Sequence, residues 1–221
     1  NNLEVFFNVI DSSKKNKVKH LIFASTSSVY GENNNFPLNE NNNTDRPISF
    51  YAATKKSNEV LAYSYAYIHR LPCTALRFFT VYGPYGRPDM ALFKFTKNIL
   101  ENKKIELFNR GNHERDFTYV SDIVSGILSI LKKPKTNKIP FNIFNKGRGN
   151  SKKLKDYLKS IEKKLDKKAI VKKLPLQLGD IKKTHSDISA LSKYSNYKPE
   201  IDIDKGISKF IDWYLSYYKK K

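Results

Sequence analysis

The chain is poor in the residues from which several protein classes are built. One cysteine, Cys73, stands among 221 residues, which excludes an intramolecular disulfide framework and suits a reducing compartment. The four histidines, His20, His69, His113 and His185, show no H-x-x-x-H or Cys/His spacing, so no metal site is expected. Apolar runs fall short of the ~20 residues a membrane span needs, and residues 1–20 do not read as a signal peptide. A soluble, cytoplasmic protein without membrane partners is the expectation. Nine glycines and nine prolines are too few for collagen-like or low-complexity chains. None of those glycines builds a G-x-G-x-x-G or G-x-x-G-x-x-G turn, the loop that cradles a pyrophosphate. Were the fold a nucleotide-binding one, its first half would be missing from these residues.

Acidic residues are scarce as well. Lys and Arg number 41 against 21 Asp and Glu, a net charge of +20 that lies mostly beyond residue 100. Clusters such as Lys152-Lys153-Lys155, Lys163-Lys164 and Lys167-Lys168 could neutralise phosphates. They recur, however, opposite Leu154, Leu158, Ile161 and Leu165, as on the solvated face of a helix. Arginine is rare, and the aromatic-interleaved platforms of nucleic-acid binders are missing, so no nucleic-acid partner is expected. A noncatalytic polyanion-binding protein remains the alternative from a different class.

What is present alternates between helical and extended patterns, the α/β signature. A helix is under way from the first residues (Leu3, Phe6, Phe7, Val9, Ile10), followed by a strand over 18–24 and a polar loop over 25–50. A helix is predicted over 49–70 and a strand over 73–80, then a loop marked by Gly83-Pro84, Gly86 and Pro88. Further along, 91–102 reads helical, while 104–108 and 115–120 read extended. Ser121 is the expected cap of a helix to Lys133, 140–145 is a strand, Ser151 opens a helix to Leu165, and 170–174 is extended. A last helix starts near Asp204, with Trp213 on its apolar side in a packing role.

Two segments concentrate chemistry. Ala24-Ser25-Thr26-Ser27-Ser28-Val29-Tyr30-Gly31 follows a predicted strand, and residues just past a strand's C-terminal end line the ligand crevice of open α/β sheets. The bland reading is a Ser/Thr turn that satisfies its own backbone. Downstream, Tyr51-Ala52-Ala53-Thr54-Lys55 sets a phenol and an ammonium at i, i+4 on one helical face. A phenol titrates near 10, so acting as a base near neutrality requires a shift of about three units, ~4 kcal/mol. One ammonium at ~4 Å and an effective dielectric of ~20 supplies about that. Tyr194/Lys198 and Tyr217/Lys221 repeat the spacing, so only the joint pattern of strand, hydroxyl cluster, loop, Tyr and Lys carries weight. Arg77 reads as a buried ion-pair residue, and Tyr30 is as suited to packing as to binding.

The segments ASTSSVYG, SFYAATK, LRFFTVYGPYGRPDMALFKF, RDFTYVSDI and QLGDI resemble the extended short-chain dehydrogenase/reductase family, the NAD-dependent epimerases/dehydratases, and among them most of all the UDP-glucuronate 4-epimerases. The resemblance implies the C-terminal part of a Rossmann-like doubly wound parallel sheet interleaved with a smaller α/β substrate-binding domain. Residues 1–82 would be the remaining part of the NAD-binding domain, 83–114 a substrate-domain insertion, 115–148 a return to the first domain and 149–221 the C-terminal substrate-binding domain. It implies Tyr51 as catalytic base, Lys55 as the group that eases its ionisation and holds the nicotinamide ribose, and Thr26 as the bridge between sugar hydroxyl and Tyr51. Asn2 and Phe79 would lie near the cofactor NAD. Ser27, Ser28, Thr80 and Arg87 fall at sugar-binding positions, Arg87 suiting a carboxylate. Arg115 would clamp the UDP diphosphate, Asp180 would accept from the uridine ribose, and Gln177 stands where galactose epimerases carry Arg.

The implied activity is isomerisation of a UDP-sugar, UDP-glucuronate to UDP-galacturonate, for polysaccharide biosynthesis, in a homodimer when full length. These residues in isolation are expected to bind NAD poorly and turn over nothing. A neutral UDP-hexose 4-epimerase is the nearest rival. Sugar-nucleotide dehydratases carry Asp-Glu where Ser27 and Ser28 stand, and UDP-glucuronate decarboxylases a Glu at Ser28, so both are disfavoured.

Overall fold

A computed structural model describes residues 2–177 and 181–219. In chain order its elements are α1 (Asn2–Lys15), β1 (Leu21–Thr26), α2 (Phe50–His69), β2 (Cys73–Phe78), β3 (Thr80–Tyr82), α3 (Ala91–Leu100), β4 (Lys104–Leu107), β5 (Glu114–Tyr119) and α4 (Val120–Leu131). Then follow β6 (Phe141–Lys146), β7 (Ser151–Lys153), α5 (Leu154–Leu165), β8 (Ile170–Lys173), α6 (Ser189–Ser195) and α7 (Ile203–Tyr217).

The apolar runs near residues 20, 75 and 143 pair in parallel in the order β1-β2-β6, with Leu21 opposite Cys73 and Cys73 opposite Phe141. Alternation along each strand sends side chains to opposite faces. Leu21, Phe23, Cys73 and Phe141 pack against α1 and α2 through Phe6, Ile10, Ala62 and Tyr65. Ile22, Leu76, Phe78 and Phe144 face Ile127 and Ile130 of α4 and Leu191 of α6. A parallel sheet covered by helices on both faces is the α/β architecture the sequence implies. Burial pushes the Cys73 thiol up to about 12, which leaves it an inert core residue.

A second core lies beyond the C-terminal ends of these strands. It joins α3, α5 and α7 over β3, β5 and the β4-β8 pair, with Tyr82, Phe93, Phe117, Tyr157, Ile161 and Phe210 at its centre. Trp213 packs there with its ring 5.4 Å from that of Phe210. Lys159, Lys163 and Lys164 of α5 face solvent and Lys155 is half-buried, while Tyr157, Leu158 and Ile161 are buried, so the helix-face reading holds for most of the basic residues of this element.

Several local expectations are corrected. The strand over 73–80 is two strands: Phe78 ends its pairing in the first sheet, and Thr80 begins pairing with Phe117 in the second. Ser151 does not open a helix; Ser151–Lys153 pairs antiparallel with Glu114–Asp116, and α5 starts at Leu154. The open edge of β5 takes up backbone groups that local propensity alone would have left to a helix. Ser121 lies inside the first turn of α4 rather than capping it, and Asp122 supplies the negative charge at that N-terminus. α6 has no counterpart in the sequence reading; it comes from the segment expected to serve substrate binding, yet lays Leu191 on the first sheet.

Candidate active site

The end of β1 and the start of α2 meet as the sequence pattern requires. Thr26 ends β1 in an extended conformation, and its Oγ1 accepts from the Ser28 amide at 3.2 Å and donates to Ser28 Oγ at 3.2 Å. The hydroxyl cluster thus forms its own turn, Ser27–Tyr30, past the C-terminal end of β1, the position at which open α/β sheets place their ligands. Ser49 caps α2, its Oγ accepting from the Ala52 amide at 3.1 Å. The cap sets Tyr51 in the first turn, where it is 49% exposed and open to a ligand.

Lys55, one turn on, has its Nζ 6.0 Å from the Tyr51 ring centroid and donates to the Ala24 carbonyl at 3.2 Å. Partial burial holds the Lys55 ammonium below the ordinary lysine range. Phenol and amine therefore share one face of α2, and the amine reaches back to β1 two residues before Thr26. Asn2 joins the same corner through Nδ2, which donates to Thr54 Oγ1 at 3.2 Å.

Thr80 and Arg87 line one pocket together with Gly83, Met90 and Phe93. Arg87 is exposed and pairs with Asp89, which raises its guanidinium above the ordinary arginine value; Tyr51 adds a smaller contribution across space. Because the Arg87–Asp89 pair is solvent-exposed, it is worth little, and an incoming anion can compete for the guanidinium.

Arg115 lies at the junction of β5 and β7 and donates from Nη1 to the carbonyls of Glu114 and Lys182, at 3.0 and 3.3 Å. That ties it to the segment leading away from Asp180, which itself lies outside the described residues. Gln177 is exposed. Phe79 is buried with Val29, Tyr30 and Leu38, and its amide donates to the Lys146 carbonyl at 3.1 Å. Its ring is part of the packing beneath the site.

Arg77 and Tyr30 are packing and network residues. Arg77 is 2% exposed and forms a bidentate pair with Glu59, while Tyr30 donates to Asn145 Oδ1 at 2.6 Å. Glu59 and Asn145 escaped the sequence reading. Glu59 carried a usable signal, since it stands four residues beyond Lys55 on the same helix; Asn145 carried none.

The donor set suits the nicotinamide ribose of a dinucleotide. Lys55 has one carbonyl partner and further N–H donors, and Thr26 and Tyr51 add two hydroxyls. A protein-family comparison matches residues 1–147 to the model described as NAD dependent epimerase/dehydratase family. The chain belongs to that family. The family, the isomerase class and NAD as cofactor expected from the sequence are borne out.

Several known proteins are similar over nearly the whole chain. Protein CapI of Staphylococcus aureus is 45% identical over 233 residues, covering 99% of this chain and 70% of its own. A probable UDP-glucuronate 4-epimerase of Rhizobium meliloti is 38% identical, covering 99% and 69% respectively. Among solved structures, the UDP-glucuronic acid 4-epimerase of Bacillus cereus in complex with UDP-glucuronic acid and NAD superposes with a TM-score of 0.91 at 33% identity, covering 99% of this chain and 68% of that one.

Proposed function

We propose that the protein interconverts UDP-glucuronate and UDP-galacturonate, inverting C4 of the sugar through a transient 4-keto form. One observation carries the reading: Tyr51 and Lys55 share a face of α2, the amine donating to the Ala24 carbonyl near the end of β1, while Arg87 lines a pocket with Thr80. NAD, when bound, supplies the hydride acceptor and donor for C4. Tyr51 takes the proton of the C4 hydroxyl and returns it after the ring has turned over in the pocket. Thr26 bridges the same hydroxyl to the phenol, and Lys55 stabilises the phenolate while donating to the nicotinamide ribose. Arg87 grips the sugar carboxylate, and Arg115 the diphosphate. Asn2 and Phe79 border the cofactor, Ser27, Ser28 and Thr80 the sugar, and Gln177 and Asp180 the nucleotide end. Residues Leu3, Phe7 and Val60 form an exposed apolar strip on α1 and α2, which supports the expected homodimer.

The test is incubation of the protein, purified as the cell makes it, with UDP-glucuronate and NAD+, followed by chromatographic resolution of the products. UDP-galacturonate is the expected product, and its absence refutes the substrate assignment. Tyr51→Phe is expected to lower kcat by about 10²–10⁴-fold, the ordinary contribution of a positioned general base. A neutral UDP-hexose is the second reading, favoured by the existing pairing of Arg87 with Asp89. Arg87→Ala separates the two: a large loss with UDP-glucuronate and little with UDP-glucose supports the charged sugar.

A further inference from the structure

Beneath the candidate site lies a polar network in which nearly every group is buried and matched. Glu59 and Arg77 are each 2% exposed. Arg77 Nε donates to Glu59 Oε1 at 2.9 Å and Nη2 to Oε2 at 2.8 Å, a fork that fits one mutual orientation only. Glu59 Oε1 also accepts from Ser25 Oγ at 2.6 Å. The remaining amine of Arg77, Nη1, donates to Tyr30 OH at 3.0 Å and to the Glu40 carbonyl at 3.2 Å.

The positions of these residues matter more than their number. Glu59 stands on α2, one turn beyond Lys55 and two beyond Tyr51. Ser25 is the residue before Thr26 on β1, opposite Arg77 on β2 in the strand register. A buried ion pair adds little net stability over an apolar pair of the same volume, so stability is a poor account of its presence. Its directionality is the distinguishing property: apolar packing tolerates sliding of a helix along a sheet, whereas three short hydrogen bonds on one carboxylate do not.

We propose that the Glu59–Arg77–Ser25 cluster is a positioning device that fixes α2 against β1, and so sets Tyr51 and Lys55 relative to Thr26. These are positioning residues, buried away from substrate. The inference rests on the reading of Tyr51, Lys55 and Thr26 as the reacting set, and its test separates the two.

The test compares the wild-type protein, as the cell makes it, with the charge-free double variant Glu59→Met/Arg77→Met and with Ser25→Ala, which removes only the arm to β1. Three readouts are taken: the thermal midpoint for folding, kcat and KM separately for the UDP-sugar, and titration of the Lys55 amine by carbon NMR, assigned through Lys55→Arg. A folded double variant is expected to lose about 10²-fold in kcat, the scale of a 1 Å misplacement, with KM nearly unchanged. Its Lys55 amine is expected to rise toward the value of a solvent-exposed lysine as the side chain leaves the partial burial that now holds it down. Ser25→Ala is expected to shift both readouts in the same direction by less, and it serves alone should the double variant not fold. Unchanged kcat and Lys55 titration in a folded variant overturn the proposal. A wild-type protein without turnover, whose Lys55 still shifts in the variants, overturns the catalytic reading and leaves the positioning role standing.

Discussion

Lys146 shows how much a single buried side chain can demand of its surroundings. It ends β6 fully buried, with Nζ donating to the Asp122 carbonyl at 2.8 Å and lying 3.1 Å from the Tyr197 ring centroid. Gly126 of α4 makes room for it, since a Cβ there would fall 2.0 Å from Nζ. Burial pushes the ammonium down to about 7, with Asp122 opposing only in part. The folded value lies below the unfolded one of 10.5, so between these limits the unfolded chain binds the extra proton and stability rises with pH. Below pH 7 both states are charged and the full cost persists. Lys146→Met is therefore expected to stabilise the protein at pH 7 by up to about 4 kcal/mol and to flatten the rise toward pH 10. Urea unfolding of both proteins across that range checks it; parallel curves for the two would contradict the assignment. Nothing in the sequence marks Lys146 among its many lysines, because its cost arises from α4 and Tyr197, which are distant in the chain. Tyr51 and Lys55, by contrast, were legible because four residues along a helix bring two side chains together without help from the rest of the fold.

At the scale of an element, α2 links local sequence to chemistry. Ser49 ends the polar loop, accepts from Ala52 N and so decides where the first turn begins, two residues before Tyr51. Ser49→Ala is expected to cost about 1 kcal/mol and to fray that first turn. Hydrogen exchange at the Ala52 and Ala53 amides should then quicken while the middle of α2 keeps its protection; equal protection in both proteins would show that the cap does not hold the turn. The helix over 49–70 was legible in the sequence, though its cap was not, and so were the three strands of the first sheet, because short apolar runs of strand length bury the same way in any parallel sheet. β7 and the true start of α5 were not. Ser151–Lys153 becomes a strand because the edge of β5 offers free backbone partners, and a sequence window around Ser151 contains no trace of Glu114.

Across the whole molecule, the two cores are joined at Asp116, which is fully buried on β5. Its carboxylate accepts from Arg148 N at 2.8 Å, Gly149 N at 3.0 Å, Ser186 N at 3.0 Å and Ser186 Oγ at 2.5 Å. One side chain thus holds the second sheet to the turn after β6 and to the segment before α6. Asp116→Ala leaves those donors buried without an acceptor and is expected to cost at least about 3 kcal/mol. A lower urea midpoint measures it, and a midpoint within error of wild type would remove Asp116 from the framework.

Composition and periodicity by themselves determined the α/β class, the helix carrying Tyr51 and Lys55, and the hydroxyl run past β1, since each depends on neighbours within about one turn or one strand. The motif blocks carried the family. Only the tertiary structure decided that Phe79 turns into the packing below the site, that Arg87 shares a pocket with Thr80, that α6 covers the first sheet, and that Glu59 closes on Arg77 and Ser25. Those outcomes depend on which faces meet across tens of residues, and the burial that makes such contacts strong exists only once the chain has closed around them.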